Sequence, residues 1–304
     1  MNTMSNLKSK IDQRQPLRIV LVGKYQADGS SAMLRQLSDT LSEMGCKPFL
    51  EKETALHTGI KDIPVIQAEE FEKLADLAIV LGGDGTMLGI ARQIAGQNVP
   101  LIGVNMGRLG YMTDIPLHDV QQVLPEILSG HFDVDLRHLL EAELIRDSHS
   151  IGHGLALNDV VVNRSGMSGM VELTVNVNNQ FMYNQRCDGL IVATPTGSTA
   201  YAMSVGGPIL HPSVAGMVLA PIAPHALSNR PIVLPDTATI TIELAGGKDV
   251  TVNFDMQSMA SLQIGDQVRI KRSDKTVTLL HPLGHSDYKT LRQKLHWNEY
   301  PSSF

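Results

Sequence analysis

The sequence lacks the features that would assign it to several broad classes of protein. It has only two cysteines, Cys46 and Cys187, too few for a disulfide framework or a cysteine-based zinc ribbon. No stretch approaches the roughly 18 apolar residues of a membrane-spanning helix, and residues 1–16 contain no apolar signal-peptide core. The net charge is −6, whereas nucleic-acid-binding proteins usually carry a basic surface. We therefore expect a cytoplasmic protein with no membrane or nucleic-acid partner.

Common catalytic signatures are also missing. The eleven histidines include no H-E-x-x-H motif and no Cys/His cluster, so we expect no metal held by the protein alone. Ser198 does not lie in a G-x-S-x-G elbow, which argues against a hydrolase triad. There is no Walker A sequence and no protein-kinase catalytic loop. A nucleotide must therefore be held in some other way.

The pattern of apolar residues predicts two domains, which a chain of 304 residues is long enough to form. Strand and helix alternate from residue 17 to about 133, as in a doubly wound parallel sheet. Short β segments follow, including a hairpin over 171–185. We predict an α/β domain over 1–135 and a mostly β, sandwich-like domain over 136–280. Residues 281–304 would return to the first domain through a helix at 287–296, and residues 1–16 would form a frayed tail.

Individual elements follow from apolar spacing of 3.6 residues for helices and from apolar runs or alternation for strands. The predicted strands of the first domain are 17–22, 77–81 and 99–104, and its predicted helices are 31–44, 87–95 and 120–128. The predicted strands of the second domain, besides the hairpin, are 238–244, 250–254, 267–271 and 276–280.

The run Leu81 to Thr86 places one carboxylate, Asp84, among three glycines between an apolar strand and a helix. Glycines at a helix N-terminus leave main-chain N–H groups open to a phosphate. Asp84 would repel that phosphate unless a cation lies between them or the carboxylate faces another group, such as a sugar hydroxyl awaiting phosphorylation. The alternative is that Asp84 is a turn residue and helix N-cap.

A second polar stretch follows the apolar strand 190–193. Residues 194–204 carry five Ser or Thr hydroxyls and Tyr201. Helix capping explains one or two of the hydroxyls, while the others suit hydrogen bonds to a purine or ribose and Tyr201 suits stacking. Asn158 and Asp159 lie side by side at a strand end, where ribose diols are commonly bound. Their alternative explanation is an Asx turn.

Together these motifs resemble those of the NAD kinase family, which phosphorylates the 2′-hydroxyl of the adenosine ribose of NAD. Residues 82–86 are similar to its GGDG[TN] motif, 158–159 to its N[ED] pair, and 188–201 to its Gly/Thr-rich motif. Residues 103–111 and 224–231 match two further stretches. GGDG alone also occurs in diacylglycerol kinase-like and phosphofructokinase-like proteins, but five motifs in order, from about residue 17 onward, are specific.

The resemblance implies roles for these residues. Asp84 would be the general base, with ATP as phosphoryl donor and Mg²⁺, or another divalent cation, held mainly by the ATP phosphates. Gly83 and Gly85 would contact the nucleotide, and Asn158 and Asp159 would hold NAD. The adenine pocket would be lined by Thr199, Ala200, Tyr201 and Ser204.

The resemblance also implies that the β-rich domain binds NAD and mediates a homodimer or homotetramer. Arg186, Asp188 and His225 would reach the ligand of a neighbouring subunit, and Arg186 is similar to the residue of members that prefer NAD to NADH. Gln257 matches a further ligand contact. The chain departs from the family at Met256, where many members have glycine.

Three other functions are alternatives. An NAD-dependent oxidoreductase is disfavoured because residues 103–107 do not form G-x-G-x-x-G and no acidic residue follows at the proper distance. A lipid or sugar kinase would share the glycine turn, but it would not need the polar stretch at 194–204. A non-catalytic NAD(P)-binding regulator would not need Asp84.

Overall fold

A computed structural model describes residues 2–24, 29–166 and 169–296, with only the backbone described for residues 2–4, 6 and 257–259. The chain divides into two compact units. The first unit comprises residues up to 136 and from 276 onward, and the second unit comprises residues 137–275. The described residues contain no helix long and apolar enough to cross a membrane.

The first unit is built on a parallel β-sheet. Its strands are β1 (Arg18–Gly23), β2 (Lys47–Glu51), β3 (Val65–Ile66), β4 (Leu77–Gly82), β5 (Leu101–Asn105) and β6 (Ile115–Pro116). They lie in the order β3-β2-β1-β4-β5, with β6 beside β5, and every pair is parallel. β4 and β5 are buried throughout, as expected for central parallel strands covered on both faces. The predicted α/β architecture is confirmed.

The second unit contains two β-sheets that share an apolar core. Its strands, two of which also enter the first unit, are β7 (Phe132–Arg146), β8 (His149–Ala156), β9 (Asp159–Arg164), β10 (Val171–Val177), β11 (Gln180–Cys187), β12 (Gly189–Ala193), β13 (Gly216–Ile222), β14 (Ile232–Pro235), β15 (Ile240–Gly246), β16 (Val250–Phe254), β17 (Gln257–Leu262) and β18 (Gln267–Pro282). One sheet has the order β14-β13-β12-β9-β16-β17, and the other contains β11-β10-β15-β18 with the β7–β8 hairpin beside β18. The predicted mostly β domain is confirmed.

The helices are α1 (Asn2–Asp12), α2 (Ser30–Glu43), α3 (Lys52–Thr58), α4 (Phe71–Leu74), α5 (Asp84–Gln93), α6 (Val120–Leu128), α7 (Tyr201–Ser204) and α8 (Asp287–Leu295). α7 belongs to the second unit and the others to the first. The C-terminal helix α8 therefore returns to the first unit, as predicted. Its N-cap is Ser286, whose side chain accepts a hydrogen bond from the Lys289 amide.

Two expectations for chain organisation are wrong. Residues 2–12 are helical rather than frayed, because Leu7 is buried in the first unit and the Lys10 ammonium lies 2.6 Å from the Asp76 carboxylate. The runs predicted at 267–271 and 276–280 are one continuous strand, β18. Its last part leaves the second unit, and Leu279 pairs in parallel with Leu101 of β5.

Asp114, between β5 and α6, is held by two histidines from the C-terminal part of the chain. One Asp114 oxygen lies 2.9 Å from the Nδ1 atoms of both His281 and His285. The two rings stack with centroids 3.9 Å apart and planes inclined by 20°. The two stacked rings thus share one carboxylate oxygen as their hydrogen-bond partner.

The stability that this cluster contributes depends on pH, because its groups change their protonation state. Burial disfavours the Asp114 anion, but hydrogen bonds from the two imidazoles outweigh burial and hold its pKa at about 2. Hydrogen bonds to Asp114 and Asp287 raise the pKa of His285 to about 9. The protonated His285 is therefore favoured in the folded state, and its contribution to stability is present below its unfolded-state pKa and lost as pH rises through the folded value.

We predict that His285→Gln lowers the free energy of unfolding by about 1.5–3 kcal/mol at roughly pH 6, the range for a hydrogen bond to a charged group. The difference should shrink as pH rises from the unfolded pKa of 6.5 through about 9. Urea unfolding at both ends of this window measures it, with the exposed His118→Gln as control. An equal loss at both pH values would contradict the assignment.

Candidate active site

The turn that carries Asp84 lies between the end of β4 and the start of α5. The structure begins α5 at Asp84 itself, whereas the apolar spacing placed its start at residue 87. A Cβ on Gly82 would lie 2.5 Å from the Thr86 hydroxyl, so only glycine fits there. By contrast, a Cβ on Gly83 or Gly85 would meet no atom within 4 Å. The turn is therefore open on the side of these two glycines.

The Asp84 side chain does not cap its own helix. It turns toward the loop between β5 and β6, where Oδ2 accepts from the Tyr111 amide at 2.9 Å and Oδ1 from the Met112 amide at 3.0 Å. A Cβ on Gly110 would lie 2.3 Å from Oδ1, so the loop approaches this closely only because residue 110 is glycine. The N-cap explanation of Asp84 is wrong.

A cation completes the surroundings of Asp84. The Lys294 ammonium, from the last turn of α8, lies 2.9 Å from Asp84 Oδ2 and 4.6 Å from the centre of the Tyr111 ring. Burial acts to raise the pKa of Asp84, but the Met112 and Tyr111 amides and Lys294 together lower it below its ordinary value. Asp84 is therefore an ionised carboxylate at neutral pH. Sequence reasoning missed Lys294, because nothing local marks a lysine 210 residues away.

A cavity of about 500 Å³ lies against the N-terminal turn of α5 in the first unit. Its lining includes Gly83 and Gly85, with Lys24 from the end of β1. Glu51 also lines it, but both of its carboxylate oxygens accept hydrogen bonds from the first turn of α3, at 2.7 Å from the Glu53 and Thr54 amides. The positive end of α5 and the Lys24 ammonium make this cavity suited to an anion.

In the second unit, Asp255 organises the segment that carries Asn158 and Asp159. Its carboxylate accepts from three successive amides, those of Leu157 at 2.9 Å, Asn158 at 2.8 Å and Asp159 at 3.1 Å. Its own amide donates back to the Asp159 carbonyl at 3.0 Å. The turn between β16 and β17 thus fixes the strand end that presents both side chains.

The side chains of Asn158 and Asp159 have unsatisfied polar atoms. Asn158 Oδ1 and Asp159 Oδ1 are buried without a hydrogen-bond partner among the described residues. Burial, together with the charge of Asp255, raises the pKa of Asp159 to about 7. Buried polar atoms in native proteins are nearly always paired, so these two oxygens indicate a place where a ligand supplies the missing partner.

The hydroxyl groups of residues 194–204 form more hydrogen bonds within the chain than helix capping alone would require. Gly197 packs so closely that a Cβ would lie 2.0 Å from the Asn158 carbonyl. All five hydroxyls already have partners: Thr194 donates to the Leu157 carbonyl, Thr196 accepts from Arg137, and Ser198, Thr199 and Ser204 donate to the carbonyls of Pro195, Thr196 and Tyr201. These hydrogen bonds and the close packing of Gly197 therefore fix the conformation of the stretch.

The residues predicted to act across subunits lie near one another on the second unit. The His225 amide donates to the Arg186 carbonyl at 2.9 Å, and the Asp188 carboxylate lies 2.9 Å from Arg164 Nε. Asp188 and Tyr201 line one cavity of about 430 Å³. Arg186 is 65% exposed, which leaves it accessible to another molecule.

The positions around Gln257 explain the departure at residue 256. Asp255 and Met256 have φ angles of 47° and 69°, the left-handed region that favours glycine. Met256 is 75% exposed, so its side chain is accommodated although its backbone is strained. Gln257 begins β17, and its side chain lies outside the described part of the chain.

Comparison with known proteins agrees with the two-unit fold. Residues 19–132 match the model of the ATP-NAD kinase N-terminal domain, and residues 157–281 match that of the ATP-NAD kinase C-terminal domain. The chain belongs to the NAD kinase family. It is therefore an enzyme, a kinase that transfers a phosphoryl group, and the resemblance drawn from its motifs is confirmed.

Relatives match over nearly their whole length. The NAD kinase of Cupriavidus pinatubonensis is 60% identical over 290 residues, 95% of each chain. That of Ralstonia nicotianae is 56% identical over 297 residues, 97% of this chain and 98% of the relative. Among solved structures, a yeast NADH kinase has a TM-score of 0.84 at 24% identity, covering 95% of this chain and 89% of its own. An Archaeoglobus fulgidus NAD kinase has a TM-score of 0.68 at 23% identity, covering 92% and 98%. Both share the fold.

We predict that Asp255→Asn moves the pKa of Asp159 from about 7 toward its ordinary 3.8, because the neighbouring charge is removed. The amide also places an N–H₂ group against main-chain donors, so the free energy of unfolding should fall by about 1–3 kcal/mol. Carboxyl ¹³C NMR titration and urea unfolding measure the two effects. Asp249→Asn, just before β16, is the control; an unchanged Asp159 titration would refute the coupling.

Proposed function

We propose that the chain transfers the γ-phosphoryl group of ATP to the 2′-hydroxyl of the adenosine ribose of NAD, with Asp84 as general base. The observation that carries this proposal is the orientation of the Asp84 carboxylate. It is held ionised at the N-terminus of α5 by the Tyr111 and Met112 amides instead of capping its helix. A carboxylate with only a turn-forming role would need no such support.

In the proposed reaction, Asp84 accepts a proton late in the phosphoryl-transfer step. A carboxylate of low pKa is a weak base for a resting alcohol, but the alcohol becomes acidic as its oxygen bonds to phosphorus. The proton passes from the 2′-oxygen to Asp84. Meanwhile the bond from the γ-phosphorus to its bridging oxygen breaks, and the electron pair leaves with ADP. The lowered pKa of Asp84 serves this step because the carboxylate must be ionised beforehand.

The cavity beside α5 is assigned to the ATP phosphates. Gly83 and Gly85 carry no side chain and are open, so a phosphate can approach the main chain there. Lys24 adds a positive charge to the helix end. The Archaeoglobus fulgidus structure with the same fold is of a complex with ATP, which supports ATP as donor.

A divalent cation such as Mg²⁺ fits this cavity when the phosphates bring it. Glu51 is already engaged with the α3 amides, and among the described lining residues Glu53 is the other carboxylate that can add an oxygen. Mg²⁺ commonly binds one or two carboxylates together with substrate phosphates and water, so this donor set is adequate. When bound, the ion would neutralise the phosphate charge during transfer.

NAD is assigned to the polar residues of the second unit. The unsatisfied oxygens of Asn158 and Asp159 are acceptors that ribose hydroxyls can satisfy. Tyr201 faces the cavity it shares with Asp188 and offers a stacking surface. The yeast structure with the same fold is of an NADH complex, which supports a dinucleotide ligand. The proposed adenine-lining residues are Thr199, Ala200, Tyr201 and Ser204.

We predict that Asp84→Asn lowers kcat by about 10²–10⁴, the usual contribution of a general base, with little change in the KM for NAD. Asparagine keeps the size of the side chain, so the fold should be retained, with some loss of stability because its N–H₂ group faces a main-chain donor. The assay supplies NAD, ATP and Mg²⁺ and detects NADP with an NADP-specific dehydrogenase. Asp119→Asn, at the start of α6, is the matched control.

Two results would contradict the role of Asp84. If the folded variant keeps more than about a tenth of the wild-type kcat, the loss falls well short of a general-base effect. If the loss lies wholly in the KM for ATP, Asp84 belongs to the metal and phosphate side of the site instead.

The exposed Arg186 and its neighbours Asp188 and His225 support a site shared between subunits of a homodimer or homotetramer. We predict that Asp84→Asn and Asp188→Ala subunits, each inactive alone, recover part of their activity when exchanged into mixed oligomers. Light scattering measures the oligomer, and differently tagged subunits verify exchange. A stable active monomer, or exchanged subunits without recovery, would exclude a shared site.

A further inference from the structure

Every acceptor position of the Asp84 carboxylate has a donor. Oδ2 receives the Tyr111 amide and the Lys294 ammonium, each at 2.9 Å. Oδ1 receives the Met112 amide at 3.0 Å and the Thr113 hydroxyl at 3.4 Å. A carboxylate offers about four lone-pair sites, so none is left for an incoming hydroxyl. One donor must leave before Asp84 can take a proton from a substrate.

Three of the four donors are fixed by the packing of the loop around residues 110–113. The Gly110 amide donates to the Thr113 carbonyl at 3.1 Å, which closes the loop. A Cβ on Gly103 would lie 2.2 Å from the Met112 carbonyl, so β5 packs directly against it. Thr113 is fully buried, and its hydroxyl is also held by a hydrogen bond from the Asn105 side-chain amide at 3.3 Å. The amides and the Thr113 hydroxyl therefore stay in place.

Lys294 is the donor that can move. Its side chain is 28% exposed and carries the ammonium on a flexible four-carbon stem. The ammonium also lies over the Tyr111 ring, 4.6 Å from its centre. A shift across the face of that ring would release Asp84 Oδ2 and keep a cation–π contact, which is favourable in its own right.

We propose that Lys294 is a positioning residue that holds the Asp84 carboxylate ionised and oriented in the free enzyme, and yields Oδ2 to the acceptor hydroxyl of the substrate. The exchange itself is non-covalent: one ammonium hydrogen bond to Oδ2 breaks and one hydroxyl hydrogen bond forms. This inference rests on the proposed role of Asp84 as general base. Through Lys294, helix α8 takes a direct part in binding the acceptor hydroxyl.

The test compares Lys294→Met, which keeps the stem and removes the charge, with Lys294→Arg, which keeps a cation. Because the acceptor no longer displaces an ion pair, Lys294→Met should lower the KM and the dissociation constant for NAD by about two- to tenfold. The KM for ATP should not change. The acid-side fall of kcat/KM should begin at higher pH, since the cation that lowers the pKa of Asp84 is gone.

Lys294→Arg should stay closer to wild type in NAD affinity and in its pH profile. Lys289→Met, an exposed lysine on the same helix, controls for changes in α8 and should leave all parameters unaltered. NAD affinity is measured by calorimetry and folding by thermal unfolding.

Other outcomes overturn the proposal. A kcat lower by about 10² or more with unchanged NAD affinity would show that Lys294 stays in the reacting complex as a charge-stabilising group. Unchanged constants and pH profile would show a purely structural ion pair. If the wild-type protein makes no NADP, the proposed function fails. If it makes NADP while Lys294→Met matches it, only the inference about Lys294 fails.

Discussion

The hydrogen bonds that the Tyr111 and Met112 amides donate to Asp84 are the interaction on which the candidate catalytic site depends. They require β4 to end in Gly82, α5 to begin at Asp84, and Gly110 to admit the carboxylate within contact distance. They also stabilise the ionised form against the cost of burial. The C-terminal segment supports the same region, since Lys294 contacts Asp84 and two histidines hold Asp114 just after the loop. Distant parts of the chain thus converge on one carboxylate.

In the second unit, too, main-chain amides bind a carboxylate, but this carboxylate positions neighbouring residues. The Asp255 carboxylate accepts three successive amides and so fixes the strand end that carries Asn158 and Asp159. A carboxylate bound by several main-chain amides is held by charge-assisted hydrogen bonds, which are stronger than neutral ones. Here the bound charge also raises the pKa of its neighbour Asp159. One buried aspartate positions another, and the strand end carries two buried oxygens with no hydrogen-bond partner among the described residues.

Local patterns in the sequence predicted what local forces determine. The buried strand ending at Leu81, the helix 120–128 and the alternating strand 171–177 all follow from periodicity, and the glycine turn marked Asp84. Contacts between distant residues left no local signal. Lys294 is an ordinary helix residue, His281 and His285 are far from Asp114, and β18 continues through Ser273 and Asp274, which read as an interruption. The polar composition of residues 2–12 predicts no packing, yet buried Leu7 and the ion pair between Lys10 and Asp76 hold this helix in place.

A crystal structure of the protein with NAD and a non-hydrolysable ATP analogue would show which group contacts the acceptor hydroxyl. We expect the 2′-oxygen of the adenosine ribose within hydrogen-bond distance of Asp84, about 2.6–3.2 Å from Oδ2, on the side facing the γ-phosphorus. The Tyr111 and Met112 amides should still bind the carboxylate. A ternary complex in which another group contacts the 2′-oxygen, while Asp84 keeps all its present partners, would contradict the assignment of Asp84 as the base.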